Sequence, residues 1–171
     1  LSLVGASDSQ HFSKNEIKAL IDGVTSLNNE HVTRICGTRF NGLSILHRDW
    51  LNLNSERNKH RLAFDEFFED IDILLTPATG TPAFKHDQNG PRYSRFLTIN
   101  GKEYPEMAQL FWSGYSGVMG LPSVVGPIGE VRKLPVGYQA IASHGRDFTA
   151  LAFAAAVERE LGGFNPPPLC R

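Results

Sequence analysis

Apolar positions recur along this chain in two rhythms, one of three to four residues and one of two or of unbroken runs. From Ser13 the rhythm is helical, with Ile17, Leu20, Ile21, Val24 and Leu27 on one stripe. Ser13 suits an N-cap, Glu16 completes a capping box with it, and Phe12 and Ile17 hold the staple positions. Gly23 weakens that helix by about 1 kcal/mol relative to alanine, and Gly37 is placed to end or bend it. A second helix is predicted from about Arg39 to Glu69. Phe40, Leu43, Leu46, Trp50 and Leu53 keep its period, the polar stretch from Asn54 to Arg61 forms a solvated face, and Leu62, Phe64, Phe67 and Phe68 follow. Phe67 and Phe68 are expected to anchor its end in the core.

Beyond residue 70 the pattern shortens to strands. Asp72 to Thr76 is a strand stopped by Pro77. The turn Thr76-Pro-Ala-Thr-Gly-Thr-Pro then exposes small polar side chains at a strand end, where open α/β sheets bind ligands. Residues 85–95 read as a loop, and Phe96–Ile99, Asn100-Gly101 and Lys102–Tyr104 as a hairpin with a tight turn. Met107 to Met119 is predicted helical, putting Trp112, Ser116 and Met119 on one face. Gly114, Gly117 and Gly120 weaken that helix and suggest close packing or close approach of a ligand. Two β-branched runs, Ser123–Ile128 and Val136–Ala142, read as buried strands covered on both faces. A last helix is expected from Asp147, as N-cap, to Leu161, stopped by Gly162-Gly163 and the prolines at 166–168.

Composition narrows the picture little. A chain of 171 residues that is 41% hydrophobic and 20% charged suits one soluble domain, 1–171. A net charge of −1, with basic and acidic residues interleaved, offers no face for nucleic acid. No apolar run approaches the ~20 residues of a membrane span, and the start lacks the basic and apolar regions of a signal peptide. Cys36 and Cys170 form no paired motif and are expected to be reduced thiols in the cytoplasm. The opening Leu1, in place of methionine, points to a piece of a longer or processed polypeptide.

Gly120-Leu-Pro-Ser-Val-Val-Gly-Pro-Ile-Gly followed by Leu134-Pro-Val-Gly-Tyr-Gln resembles the C-terminal region of the amidase signature enzymes. Upstream, Arg48-Asp-Trp-Leu-Asn-Leu-Asn-Ser-Glu-Arg, Asp72-Ile-Leu-Leu-Thr-Pro-Ala-Thr-Gly-Thr-Pro-Ala-Phe and His86-Asp87 extend the likeness. Downstream it continues through Arg146-Asp-Phe-Thr-Ala-Leu-Ala to Glu158-Arg-Glu-Leu-Gly-Gly-Phe, covering roughly residues 40 to 168 in order. The resemblance implies an α/β fold, a mixed β-sheet flanked by helices, taken from the C-terminal part of a larger hydrolase. It implies cleavage of a small-molecule amide without a cofactor, by a Ser–Ser–Lys arrangement in which a neutral lysine is the ultimate base. One serine relays the proton across a cis peptide and the other attacks the carbonyl, while N–H groups of a glycine-rich segment hold the oxyanion. That segment and that lysine are expected before residue 1. No catalytic residue is therefore assigned in this chain, which is expected to be inactive alone and to need the missing N-terminal half.

The residues themselves agree that chemistry is sparse. Lys14, Lys18, Lys59, Lys85, Lys102 and Lys133 all lie in polar surroundings that would not make a base of them. Gly114-Tyr-Ser-Gly-Val falls short of a nucleophile elbow, since its second glycine comes one position early and no strand precedes it. His86-Asp87 lacks the spacing of a metal pair, so no metal is expected. By position in the family, Trp112, Ser116 and Met119, with Thr76 and Thr79, are nominated as substrate-binding residues. Three alternatives stay open: pocket wall of an amidase, a non-catalytic small-molecule binding module derived from one, or an unrelated hydrolase centred on Ser116. A cut sheet leaves a bare edge, so a homo-oligomer is expected.

Overall fold

The Ser13 cap starts a helix as its sequence requires. In the computed structural model, which describes residues 1–166, Ser13 Oγ accepts from the Glu16 N–H at 3.3 Å and Glu16 Oε2 accepts from the Ser13 N–H at 2.7 Å. That helix, α2 (Lys14–Ser26), follows an unforeseen one, α1 (Ser2–Asp8). After α2 come α3 (Glu30–Val32), a wider π turn over Thr33–Gly37 and α4 (Thr38–Gly42). Gly37 thus neither ends nor breaks the helical path; the winding tightens after it. The expected single helix from 39 to 69 is two, α4 and α5 (His47–Phe67). The first closes with i→i−3 bonds from Leu43 N–H to Phe40 and from Ser44 N–H to Asn41.

Contacts group the chain into two units, Leu1–Lys59 with Lys85–Leu110 and His60–Phe84 with Phe111–Arg171. In the first, Val24, Val32, Cys36 and Met107 form the core, flanked by Ile35, Phe40, Tyr93, Phe96 and Leu110. The Tyr93 ring lies over Gly23, where a Cβ would stand 2.1 Å from its hydroxyl, which accounts for a glycine in mid-helix. The predicted hairpin is present as β2 (Phe96–Ile99) and β3 (Lys102–Pro105), antiparallel, with Asn100 and Gly101 both at positive φ. Arg92 pairs with Glu106 at 2.9 Å beside it.

The second unit is built on a three-stranded antiparallel sheet in the order β1-β5-β4, with β1 at Leu74–Pro77, β4 at Ser123–Val131 and β5 at Leu134–Ile141. Strand β5 lies in the middle, and Tyr138 to Ala142 are buried in it and just beyond it. Its two faces divide by alternation. Tyr138 looks toward α7 (Asp147–Leu161), where its ring meets Phe153 edge-on at 6.2 Å, while Gln139 and Ile141 look the other way. Strand β4 departs from expectation. It is an edge strand among the described residues, with Val125 59% and Ile128 52% exposed, so it is not covered on both faces.

Phe64 stacks near Phe68 and Phe67 meets both edge-on, their centroids 5.2–6.3 Å apart, but Phe67 remains 40% exposed instead of anchoring a core. Helix α7 spans the predicted residues, but its N-cap falls one position earlier than expected. Asp147 is its first residue and Arg146 its cap, and Gly162 at φ 84° ends it. Pro167, Pro168 and Cys170 lie outside the described residues. Among the described residues no helix is long and apolar enough to cross a membrane.

Candidate functional site

The segment before β4 is not one helix. A 3-10 turn over Glu106–Phe111 gives way at Trp112 to a short helix, α6 (Ser113–Met119). Gly120 closes α6 in the left-handed conformation, φ 69°, a cheap position only for glycine, and its N–H bonds the Ser116 carbonyl. The Leu121 N–H reaches the same oxygen at 3.0 Å. His144 adds a bond to the Gly120 carbonyl at 3.1 Å from Nδ1, which must carry the hydrogen because a carbonyl only accepts. These bonds tie the end of α6 to the start of β4 and the turn after β5.

Of the nominated residues, Thr76 and Ser116 are buried, at 9% and 8% exposure, and Trp112 and Met119 are half-buried. Thr76 stands opposite Gln139 in the β1–β5 register. Gln139, 3% exposed, donates through Nε2 to Thr76 Oγ1 and to the Trp112 carbonyl, both at 3.2 Å. One amide thereby brings the Thr76 strand and the start of α6 together. Thr79 is not drawn in. It is exposed, and its hydroxyl donates to the Thr81 carbonyl within its own turn at 2.7 Å.

Gln139 is the residue that sequence reasoning missed. Its signal was a lone amide within the otherwise apolar end of a strand, where a polar group must find partners or cost stability. A Cβ at Gly114 or Gly117 would meet nothing within 4 Å, so close packing among the described residues does not require them.

The Ser116 hydroxyl donates back to the Ser113 carbonyl at 3.4 Å, a bond internal to its helix. Among the described residues no histidine, lysine or carboxylate bonds to it, so no activated nucleophile forms there. All the lysines, Lys14, Lys18, Lys59, Lys85, Lys102 and Lys133, are exposed. What the second unit does assemble is a buried threonine, a buried amide and an aromatic cluster. In that cluster Phe111 meets Trp112 edge-on at 5.1 Å and Tyr115 at 5.6 Å, and Trp112 stacks near Tyr115 at 6.0 Å.

Comparison with known proteins adds the family. The sequence pattern of the family described as Amidase matches residues 3–151. An indoleacetamide hydrolase of Bradyrhizobium diazoefficiens is 34% identical over 118 residues, which cover 66% of this chain and 20% of that protein. A glutamyl-tRNA(Gln) amidotransferase polypeptide of Koribacter versatilis is 32% identical over 122 residues, covering 70% of this chain and 23% of that protein. Among solved structures, the crystal structure of an amidase superposes with a TM-score of 0.62 at 23% identity, over 75% of this chain and 29% of that one. The chain therefore spans about a fifth of the length of the curated relatives it matches.

Proposed function

Because this chain belongs to the amidase family, we propose that it forms part of a hydrolase that cleaves the C–N bond of a small linear carboxylic amide. Its own share is the sheet and part of the wall around the acyl group of the substrate. Trp112, Ser116 and Met119 form that wall together with Thr76, with Thr79 in the turn that follows β1. The observation that carries this reading is the Gln139 amide, which holds Thr76 and the backbone of Trp112 to one point in the second unit. The relatives' names support an amide as the substrate class.

The attacking serine, the relaying serine and the lysine base belong, on this reading, to polypeptide other than these 171 residues, and no cofactor takes part. Two observations support it: the short span against the relatives, and lysines that all stand in solvent. A buried, reduced Cys36 is in keeping with the cytoplasm. The bare edge of β4, with Val125, Ile128 and Val131 exposed along it, favours association with a second copy.

Three measurements test the proposal. The chain alone is expected to turn over no member of an amide panel, and a rate abolished by Ser116→Ala would overturn the assignment. In the intact hydrolase, Trp112→Ala is expected to raise KM about tenfold with a smaller change in kcat, the mark of lost ground-state binding. In sedimentation the chain alone is expected to run larger than a monomer, and a single monomeric boundary at high concentration would remove the second copy.

A further inference from the structure

Resting on that reading, we infer that Gln139 is a positioning residue that sets substrate choice, by fixing the backbone under an aromatic cluster that favours planar aromatic amides over short aliphatic ones. The Trp112 carbonyl can only accept, so the nitrogen end of the Gln139 amide must face it, and the same nitrogen serves Thr76 Oγ1. The orientation of the amide is therefore settled by its partners.

The Trp112 carbonyl lies where the 3-10 turn becomes α6, and there it also accepts the Tyr115 N–H at 3.3 Å. A bond from the middle strand of a sheet thus pins the one residue at which the winding changes. The rings of Phe111, Trp112 and Tyr115 all project from that junction. Phe111 is 60% exposed, so the cluster reaches the surface of the described chain. Rings arranged edge-on and offset offer more of the same contacts to a further planar ring, and little beyond area to a short alkyl group. If the backbone under them moves, that preference is lost while contacts to the amide group itself persist.

The test uses the intact hydrolase and a matched pair of substrates, an arylacetamide and a short aliphatic amide. Wild type is expected to show the lower KM for the aryl amide; equal or reversed values overturn the inference. Gln139→Leu removes both donors at similar volume. It is expected to raise the aryl KM about tenfold, as the loss of two hydrogen bonds warrants, with the aliphatic KM held within about twofold and kcat within about threefold. Gln139→Glu supplies a readout that a merely structural role would not move. Its ionised carboxylate cannot donate to the Trp112 carbonyl, whereas its protonated form can, so the aryl KM should fall as pH is lowered, relative to wild type. A ratio of the two KM values that is unchanged in Gln139→Leu, or a pH-independent one in Gln139→Glu, overturns the inference. If Gln139→Leu does not fold, as judged by circular dichroism, the pH dependence of Gln139→Glu decides alone. Trp112→Ala separates the two levels: should it raise KM while the Gln139 variants do nothing, the wall stands and the role of Gln139 falls; should it also do nothing, both fall.

Discussion

Cys36 shows how much a single side chain can reveal about its surroundings. Its sulfur is sealed in the core of the first unit, 3.4 Å from that of Met107. Burial raises its pKa above the ordinary thiol value, partly opposed by the charges of Arg92 and Arg39. The folded chain therefore keeps a proton that the unfolded chain releases, and stability contributed below the ordinary thiol pKa is lost as pH rises toward the raised one. Urea midpoints should fall as pH rises above the ordinary thiol pKa of about 8.5, and Cys36→Ala should flatten that slope; a slope unchanged by the substitution would contradict the assignment. Residues whose partners are close in sequence were legible. The Ser13–Glu16 box is the clear instance, and Ser13→Ala should lower the melting temperature, at a cost of about 1 kcal/mol. The Glu16 carboxyl is held below its usual pKa by the Ser13 hydroxyl and then by the Ser13 N–H, so this support fades only as acid protonates it. Gln139 was not legible, because its partners lie 27 and 63 residues away.

Elements show the same division. The β2–β3 turn announced itself through Asn100-Gly101, whose φ values of 52° and 76° those residues adopt readily. The β4–β5 turn has the same two-residue form, since Val131 pairs with Leu134, yet it is built from Arg132 and Lys133 at φ 54° and 64°. Long side chains carry no turn signal and pay for positive φ, which is why both strands were drawn too short. Replacing the pair by Arg132→Asn with Lys133→Gly should stabilise the chain by about 1 kcal/mol, read as a higher denaturant midpoint. Helix α1 was invisible for another reason. It packs on α4 through backbone, with an added Cβ on Gly5 falling 1.9 Å from the Arg39 carbonyl oxygen and one on Gly42 falling 2.3 Å from that of Ser2. Gly5→Ala should cost about 1–3 kcal/mol in thermal or urea unfolding, because backbone cannot yield as a side-chain tip can.

At the scale of the whole chain, the order of its motifs pointed to the family more firmly than any one residue. The resemblance drawn over residues 40 to 168 overlaps a family match over 3–151. Exposure along β4 was beyond reach of periodicity, because an apolar run looks alike whether or not anything covers it. The sheet order carries a kinetic consequence. Strands β4 and β5 are neighbours in sequence and can zip from their turn, whereas Thr76 must find Gln139 across 63 residues. Closing so long a loop is slow and brings no gain until the ends meet. In pulse-labelled refolding, amides of β4 and β5 should become protected before those of β1. The Gln139 bridge from Thr76 to Trp112 would then be the last part of the second unit to form, and a chain caught before that step would hold its hairpin while β1 and the start of α6 stayed untied.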